Sequence, residues 1–510
     1  MLRSILLISL LATQAVPGET RKISRDELHD KIAGGWAGQM IGVSFGAPTE
    51  FRSNGQINET VLPKWTPDRV SEALNQDDLY VDMTLAKVLD DRGLNATSED
   101  FGAMLRDAQY SLWHANLAAR RNLRRGVPAR LAGTPKYNAH ANDIDFQIEA
   151  DFIGLMAPGL YQASNRIADQ AGRVMNYGDG LYGGMFVSCM YAAAFFEHDP
   201  RKVVETGLHC IPAESPYARL VRDVLAWHAA SPKDWRAAWI KLEKEWDKRD
   251  PCPEGALRPF NIDAKLNGGY IVLGLLYGEG DFGKTVEIAT RAGQDSDCNP
   301  ASAAGIAGVM LGYRKIPGEW KDGIPALAQK KFRFTDFSFD SIVASTEKRA
   351  EALIKATGGK SDVELHYVNV QTPRAPKLEI WDDYGTPVDR ISVFEKKKWA
   401  FTGPWADQRL GKQATQNGAE AEITFKGTGA IVVGGLYTNG GKIEVLLDGR
   451  LDKATDTFSD DLGNKNHEAI WHKFGLKNGE HTIRVIVKGE PFGGSGGSLV
   501  SIEDLVVFRP

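Results

Sequence analysis

Two pairs of carboxylates, each at the start of a predicted helix, are the residues of this chain best suited to hold a divalent metal ion. Asp77 and Asp78 begin an apolar stripe of helical spacing, and Asp295 and Asp297 precede an Ala/Gly-rich apolar run. Neighbouring carboxylates repel one another, and a hard cation with oxygen ligands relieves that repulsion. If the two helix starts face each other, the four acids surround one pocket and a cation is expected. The alternative is that each pair only caps its helix, where the helix dipole favours acids without any metal.

A glycine-spaced helix leads to a further acid. Gly34, Gly38 and Gly42 are four residues apart and share one helical face. Because each glycine lowers helix propensity by about 1 kcal/mol, that face is expected to pack against another backbone. The helix ends before Glu50, which falls on the following loop. Taken alone, Glu50 is most simply a solvated loop acid just past a tightly packed helix.

Further polar residues in the middle of the chain are candidates for ligand contact. Asn142, Asp143 and Asp145 lead into a segment with acids among apolar neighbours at helical spacing. Asp179 and Tyr182 lie in a glycine-rich turn before a buried helix, and such a turn lets backbone and aromatic edges come close to a ligand. The turn is not a dinucleotide-binding motif, because no strand precedes it. The alternative for the acids is a helix cap followed by surface charges.

Helical and β-rich segments divide the chain into domains. Glycine-spaced helices recur from residue 30 to 315 with little strand alternation, which predicts an all-α domain. From residue 391 short alternating strands and Asp-Gly and Asn-Gly turns predict an antiparallel β-sandwich. The predicted organisation is a helical catalytic domain at 22–345, a connector at 346–390 and the β-sandwich at 391–510.

Composition and the N-terminus limit the location and the partners of the protein. The 510 residues carry a net charge of -5 with no basic footprint, which argues against a nucleic-acid partner. Residues 1–18 combine a basic start, an apolar stretch and small residues, as in a secretory signal peptide, and no later segment is long and apolar enough to span a membrane. We therefore expect a secreted or periplasmic protein without a membrane span, and nothing requires a protein partner. Four cysteines are too few for a disulfide scaffold, and Cys189, in an apolar helical run, is expected to be a packed thiol.

Three segments resemble the motifs of the ADP-ribosylglycohydrolase family, in the right order and spacing, over about residues 25–340. The matching positions are Gly42, Gly46 and Glu50 of the first motif, Asp77 and Asp78 of the second, and Asp295, Ser296 and Asp297 of the third. The resemblance implies a compact all-α bundle whose helix starts hold one or two magnesium ions. It also makes Glu50, at the position of the family's flap glutamate, the candidate catalytic residue.

The chain departs from these motifs at three positions. Val43 stands where the family has an aspartate, and Gln76 and Cys298 stand where it has threonines whose hydroxyls help to ligate metal. Gln76 still offers an oxygen, whereas the soft thiol of Cys298 suits magnesium poorly. A single retained ion, or calcium in place of magnesium, is therefore an alternative to the full magnesium pair.

Together these features predict an exported, metal-assisted glycoside hydrolase that acts on an extracellular glycan or glycoconjugate. Glu50 is the predicted catalytic residue, and Asp143 is expected to supply the second carboxylate that glycoside hydrolysis usually requires. The predicted substrate-binding residues are Gln76, Asn142, Asp145, Asp179, Tyr182 and Asn299. Two alternatives stay open: an ADP-ribosyl hydrolase that releases ADP-ribose from modified protein, and a non-catalytic carbohydrate-binding protein that kept the fold.

The β-rich segment resembles the galactose-binding-like jelly rolls that are appended to secreted carbohydrate enzymes. Trp399, Trp405, Tyr437 and Trp471 are its candidates for stacking on sugar rings, although such residues more often belong to a core.

Overall fold

The computed structural model describes residues 19–247, 250–395 and 397–510, and the predicted signal peptide at 1–18 lies outside these ranges. The chain up to about residue 358 is mainly helical, and among the described residues no helix combines the length and the apolar content needed to cross a membrane. The helices in the described ranges are α1 (Arg25–Gly46), α2 (Asp77–Arg92), α3 (Ser98–Asp107), α4 (His114–Arg124), α5 (Ala129–Ala132), α6 (Asp145–Ile148), α7 (Asp151–Leu155), α8 (Tyr161–Gly172), α9 (Asp179–Ala194), α10 (Pro200–Leu208), α11 (Pro216–Ala230), α12 (Trp235–Trp246), α13 (Ala264–Gly278), α14 (Phe282–Arg291), α15 (Cys298–Leu311), α16 (Gly318–Lys321) and α17 (Phe339–Ala356).

Strands form a small sheet on the helical domain and two larger sheets in the C-terminal domain. In the small sheet, β1 (Thr20–Ser24) pairs antiparallel with β3 (Leu365–Asn369), which also pairs with β2 (Lys360–Ser361). The other described strands are β4 (Thr386–Ser392), β5 (Trp399–Thr402), β6 (Ala406–Asp407), β7 (Lys412–Ala414), β8 (Glu420–Gly427), β9 (Gly429–Leu436), β10 (Gly441–Leu447), β11 (Arg450–Asp456), β12 (Lys465–Lys473), β13 (Gly479–Pro491) and β14 (Val500–Arg509).

The C-terminal domain is an antiparallel sandwich. One sheet has the order β11-β10-β13-β8-β5, and the other has the order β12-β9-β14-β7-β6 with β4 paired to β14. Ile423 and Val485 of the first sheet share a buried apolar core with Val432 and Leu505 of the second. The predicted combination of an all-α domain and a β-sandwich is confirmed.

The glycine-rich helices α1 and α15 pack antiparallel with their backbones in contact. A Cβ atom added at Gly34 would lie 2.3 Å from the carbonyl oxygen of Gly308, and one added at Gly38 would lie 2.1 Å from that of Ala304. The register continues to the helix ends, with 2.2 Å and 2.0 Å for the pairs Gly42–Pro300 and Gly46–Ser296. Only glycine fits at such separations. This contact brings the end of α1 to the start of α15.

The segment predicted as a connector contains the end of a helix and two short strands. Helix α17 crosses the expected boundary at residue 345 and packs into the helical core, where Leu353 is fully buried. The chain then forms β2 and β3 and runs back along the helical domain. There the backbone N–H of Glu379 donates to the Tyr182 hydroxyl at 2.7 Å, and the Glu379 carboxylate pairs with Arg173 at 2.8 Å.

Charged residues fasten the sandwich to the helical domain. Arg125, just after α4, pairs with the buried carboxylate of Asp456 at 2.7 Å. Arg258 reaches Asp504 of β14 at 2.9 Å. Breaking one side of a buried ion pair leaves an unpaired charge, so such pairs fix the orientation of the two domains.

The prediction for Cys189 was wrong. Cys189 of α9 forms a disulfide with Cys210, which follows α10, with an S–S distance of 2.00 Å. The apolar run around Cys189 gave no sign of its partner, because Cys210 is brought alongside by the turn between two helices. Cys252 and Cys298 are buried free thiols.

Two of the four candidate sugar-stacking residues belong to the sandwich core instead. Trp399 is 9% exposed and Trp471 is fully buried, with its indole N–H donating to Asp452 at 2.9 Å. Trp405 and Tyr437 are half-buried, so stacking on a sugar stays a prediction for these two residues.

The α1–α15 contact predicts that Gly38→Ala destabilises the protein. Alanine ordinarily stabilises a helix by about 1 kcal/mol relative to glycine. Here the added methyl group would meet the Ala304 carbonyl, and overpacking of this kind costs about 3 kcal/mol. Chemical denaturation followed by circular dichroism measures the change. Gly463→Ala is the control, because a Cβ there meets nothing within 4 Å; equal stability of the two variants would contradict the packing.

The disulfide predicts that the double variant Cys189→Ser, Cys210→Ser unfolds more easily. A link across a sequence separation of 21 residues is expected to contribute about 3 kcal/mol to the free energy of unfolding. Urea titration of both proteins measures the difference. Alkylation of the denatured, unreduced wild-type protein should label Cys252 and Cys298 alone, and labelling of all four cysteines would show that the bond is not formed.

Candidate metal centre and active site

The two helix starts bring their carboxylates into one group. Ligand atoms of Asp78, Asp297 and Cys298 lie within 4.8 Å of one another, and so do those of Glu50, Asp295 and Asp297. Asp297 belongs to both sets, so the five residues form one continuous cluster. The sequence predicted the four acids of this cluster from segments that lie up to 247 residues apart in the chain.

Hydrogen bonds between two loops hold Glu50 beside this cluster. The N–H of Phe51 donates to the carbonyl of Gln294 at 2.9 Å, and the N–H of Gln294 donates to the carbonyl of Ser53 at 3.2 Å. The hydroxyls of Thr49 and Ser296 lie 2.8 Å apart. Gln294 adopts a left-handed backbone conformation with φ of 51°, which turns the chain into the Asp295 position. These bonds continue the α1–α15 contact beyond the ends of both helices.

Carboxylate repulsion and burial raise the pKa values of the cluster. Burial raises the pKa of Glu50 to about 8, with further contributions from Asp297 and Asp77, although Glu50 keeps an exposed edge. Burial also raises the pKa of Asp297 to about 6, and the charge of Asp77 adds to it. Burial and Asp297 raise the pKa values of Asp78 and Asp295 well above their usual range. The surroundings of the cluster therefore supply too little positive charge to keep all of its carboxyl groups ionised.

The donor atoms fit a hard divalent cation. Asp78, Asp295 and Asp297 are at most 4% exposed, and Oδ1 of Asp295 has no hydrogen-bond partner among the described residues. A buried carboxylate oxygen without a partner is unfavourable, and a cation supplies the missing interaction. Cys298 is the exception: its Sγ lies 3.4 Å from Oδ2 of Asp78, within the cluster, and sulfur is a poor ligand for magnesium.

Two residues at the edge of the cluster were missed by the sequence analysis. Positive charge on His114 and Lys465 lowers the pKa of Asp77, against the larger effect of its burial. His114 opens α4 and lies 3.6 Å from Glu254. Lys465 belongs to the sandwich, where it pairs with Asp461 at 3.0 Å. No local sequence pattern identifies His114 or Lys465 as a site residue, because α4 and β12 come close to the cluster only in the folded protein.

Asp143 does not join Glu50. Asp143 is fully buried, and its Oδ2 lies 2.7 Å from Nδ1 of His140. These two residues and Cys252 form a separate group of possible metal ligands. A role for Asp143 as the carboxylate opposite Glu50 stays a prediction that no contact in the structure supports.

Two predicted substrate-binding residues have their polar groups occupied by the protein itself. Asp145 accepts from the backbone N–H groups of Ala115 and Asn116, at 3.1 and 3.0 Å, and so fixes the first turn of α4. Tyr182 is 1% exposed, and its hydroxyl accepts from Glu379. Substrate binding by Asp145 and Tyr182 stays a prediction that these contacts do not support.

The remaining predicted residues lie in two places. Gln76 precedes α2 and is half-buried beside Asp77. Asn299 is fully buried in the first turn of α15, and its amide donates to Asn267 at 2.9 Å. Asn142 and Asp179 line a separate cavity of about 180 Å³ together with residues of the returning connector. For these four residues substrate binding stays a prediction.

A comparison with protein families identifies the helical domain. The model of the family described as ADP-ribosylglycohydrolase matches residues 24–358, which include both helix starts and Glu50. The chain belongs to the ADP-ribosylglycohydrolase family. The family consists of hydrolases that are typically metal-dependent, in agreement with the oxygen-rich cluster. No curated protein matches the chain.

Among solved structures, the chain is similar to an ADP-ribosylglycohydrolase-related protein complex. That chain is 16% identical, and the alignment covers 64% of this chain and 99% of that one with a TM-score of 0.41. The C-terminal part is similar to a CBM36-1 domain of a multidomain xylanase from the hindgut metagenome of Trinervitermes trinervoides, with 12% identity, 23% and 94% coverage and a TM-score of 0.17. It is also similar to a carbohydrate-binding module CBM36 in complex with calcium and xylotriose, with 7% identity, 23% and 98% coverage and a TM-score of 0.17.

The position of Cys298 predicts that Cys298→Ser strengthens magnesium binding. A serine hydroxyl places a hard oxygen where the thiol now lies 3.4 Å from Asp78, and we expect about a tenfold gain in affinity, which corresponds to about 1.4 kcal/mol. Isothermal titration calorimetry with Mg²⁺ measures the change. Cys298→Ala is the matched control, because it removes the thiol without adding an oxygen. Equal affinities for the serine and alanine variants would show that residue 298 does not face the cation.

Proposed function

We propose that the protein is a metal-assisted hydrolase that cleaves a glycosidic bond in an extracellular glycan or glycoconjugate. The observation that carries this proposal is the single cluster formed by Glu50 and the buried aspartates of the two helix starts. Hydrolysis of a glycosidic bond needs a group that moves a proton and a site that stabilises developing charge. The cluster offers both in one place.

Asp78, Asp295 and Asp297 are the residues that would hold the cation, with Asp77 beside them. When bound, a divalent cation supplies positive charge that orients sugar hydroxyls and polarises a water molecule. Asp78 lies in the first turn of α2, Asp297 is the N-cap of α15 and Asp295 lies in the loop before it, so their oxygens converge before any ligand arrives. This preorganisation is what a cation site requires.

Glu50 is the proposed proton-transfer residue. It is the exposed member of the cluster, so a substrate can reach its carboxyl group from solvent. The raised pKa keeps a proton on the carboxyl group near neutral pH while the other acids are uncompensated. In this state Glu50 protonates the leaving oxygen, and in its ionised state it takes a proton from the attacking water.

Two features support a substrate outside the cell. A disulfide joins Cys189 and Cys210, and disulfides persist mainly in oxidising compartments. The sandwich is docked against the helical domain and contributes Lys465 next to the acid cluster. Together with the predicted signal peptide at 1–18, these features favour a glycan or glycoconjugate over an intracellular substrate.

Family membership supports a second candidate, hydrolysis of an ADP-ribosyl bond in a modified protein. The same cluster serves both reactions, because both cleave a bond at an anomeric carbon. The two candidates differ in the groups joined to the anomeric carbon, and Lys465 and His114 bring positive charge close to Asp77 of the site. A diphosphate would be complementary to that charge.

The proposal predicts that chelation and Glu50→Gln each abolish hydrolysis. We expect the variant to lose at least about 10²-fold in rate, because proton transfer by a positioned carboxyl contributes about that much or more. The full-length protein is screened against a glycan library and against ADP-ribosylated protein, with Mg²⁺, with Ca²⁺ and with a chelator. Glu72→Gln is the control, since Glu72 is exposed in the segment before α2 and is no part of the cluster.

Each outcome of the screen assigns the function. Chelator-sensitive release of sugar from a glycan, lost in Glu50→Gln, supports the main proposal. Release of ADP-ribose without activity on any glycan supports the second candidate. Absence of bound Mg²⁺ and Ca²⁺ together with unchanged behaviour of Glu50→Gln would contradict both, and would favour a non-catalytic carbohydrate-binding protein.

A further inference from the structure

A second group of metal-ligand atoms lies apart from the acid cluster, in the interior beneath the sandwich. Nδ1 of His140, Oδ2 of Asp143 and Sγ of Cys252 lie within 4.8 Å of one another. His140 is 2% exposed, and Asp143 and Cys252 are fully buried. A buried imidazole, carboxylate and thiol meeting at one point are a different donor set from the cluster around Asp297, which has four carboxylates, one thiol and no imidazole.

The spacing of these atoms is close to that of ligands around a tetrahedral zinc ion. Zinc–ligand bonds of about 2.0 Å to nitrogen or oxygen and about 2.3 Å to sulfur place tetrahedral ligands about 3.3 to 3.6 Å apart. Sγ of Cys252 lies 3.6 Å from Nδ1 of His140. Oδ2 of Asp143 lies 2.7 Å from the same nitrogen, at hydrogen-bond distance. A bound zinc ion would separate this pair by about 0.6 Å.

The backbone around the three side chains is fixed. The N–H of Asp143 donates to the carbonyl of His140 at 2.9 Å, and the N–H of His140 donates to the side chain of Asn138 at 2.9 Å. The N–H of Cys252 donates to Oδ1 of Asp250 at 2.8 Å. The three ligand atoms are therefore held by local structure and do not depend on a mobile loop.

The other nitrogen of His140 meets a carboxylate from the second domain. Nε2 lies 3.2 Å from Oε2 of Glu468, which belongs to β12 of the sandwich and is 7% exposed. Metal-bound histidines almost always donate their second ring N–H to a carboxylate, a carbonyl or a water, which fixes the tautomer and the ring orientation. Glu468 offers such a carboxylate at ion-pair distance, and Nε2 makes no hydrogen bond with any described residue.

Two buried carboxylate oxygens at this place lack partners. Oδ1 of Asp143 and Oδ2 of Asp250 have no hydrogen bond within the described part of the chain, and Asp250 is 3% exposed. Buried, unpaired carboxylate oxygens are strongly unfavourable unless a cation is close. Asp250 lies outside the group of three ligand atoms, so the fourth position is left to a water molecule.

We propose that His140, Asp143 and Cys252 bind a zinc ion at the junction of the two domains. Thiolate and imidazole ligands favour zinc over magnesium or calcium, so this site and the acid cluster select different metals. Binding replaces two protons with the metal, the thiol proton of Cys252 and the proton between Nδ1 of His140 and Oδ2 of Asp143, and releases both to solvent. Because Glu468 supports His140 from the sandwich, the ion stabilises the docking of the sandwich on the helical domain.

Cobalt substitution of the full-length protein tests this site. Co²⁺ bound to a thiolate in a tetrahedral site gives a sulfur-to-metal charge-transfer band and intense visible bands, neither of which an all-oxygen site produces. We expect about one equivalent of zinc per chain by mass spectrometry of the metal, and these bands after exchange with Co²⁺. Cys252→Ser should lose the charge-transfer band and Glu468→Gln should weaken zinc binding by about 10- to 100-fold.

Cys298→Ser is the matched control, because Cys298 is the other buried free thiol and lies in the acid cluster. The charge-transfer band should survive in this variant. Absence of the band in the wild-type protein, or its loss in Cys298→Ser with retention in Cys252→Ser, would overturn the proposal. Alkylation of the wild-type protein with and without zinc, followed by peptide mapping, decides the matter even if Cys252→Ser does not fold. The proposal requires that zinc lowers the extent of alkylation at Cys252.

Discussion

The contact between the backbones of α1 and α15 is the constraint on which the rest of the catalytic domain depends. Glycines at four-residue spacing remove every side chain between the two helices along about three turns. The axes then approach closely enough that the loop after α1 and the loop before α15 exchange hydrogen bonds. Glu50 and Asp295 leave these two loops, so a small increase in helix separation would pull them apart.

The acid cluster is assembled against electrostatic repulsion, and packing provides the force that assembles it. Burial alone raises the pKa of each aspartate, and the charges of the neighbouring acids raise several of them further. Below the cluster the same pattern continues into the core. Asp82 is fully buried, and Asp151 contributes to the raised pKa values of both Asp82 and Asp78. Such an arrangement is stable when apolar contacts fix the helices and a cation neutralises the site, which links metal content to the integrity of the domain.

Short-range patterns were enough to predict the fold and the centre of the site. Acid pairs at helix starts and a four-residue glycine spacing are local features with a direct physical meaning. The structure packs the glycines of α1 against α15 and groups Asp78, Asp295 and Asp297, whose role as metal ligands stays a prediction. An acid at a helix start can either face a ligand or accept hydrogen bonds from backbone N–H groups, and the sequence pattern is the same in both cases. Asp145 has the same sequence setting as Asp77, yet its carboxylate caps α4. The difference lies in which segment packs opposite, and that is a property of the tertiary structure.

Contacts between distant segments account for the other differences. Cys189 forms a disulfide with Cys210 because the turn after α10 brings Cys210 next to α9. Trp471 belongs to the core because its side chain lies on the inner face of β12. Lys465 reaches the acid cluster from the other domain. Each of these placements depends on the register of two elements. A single sequence shows the periodicity of each element, but it does not show which residues of two distant elements lie opposite each other.

The pairing of β1 with β3 bears on how the protein reaches its native state. Thr20 lies opposite Asn369, so the first described strand finds its partner only after nearly 350 further residues have been made. The apolar helix α1 has its own partner α15 about 260 residues later. Contacts of such long sequence separation form slowly, and exposed apolar segments aggregate while they wait. A nascent chain that emerges N-terminus first therefore keeps helix α1, which is buried along most of its length in the native fold, unpartnered until most of the polypeptide is available. Folding of this protein is a late event that follows synthesis, and it falls within the period in which chaperones act.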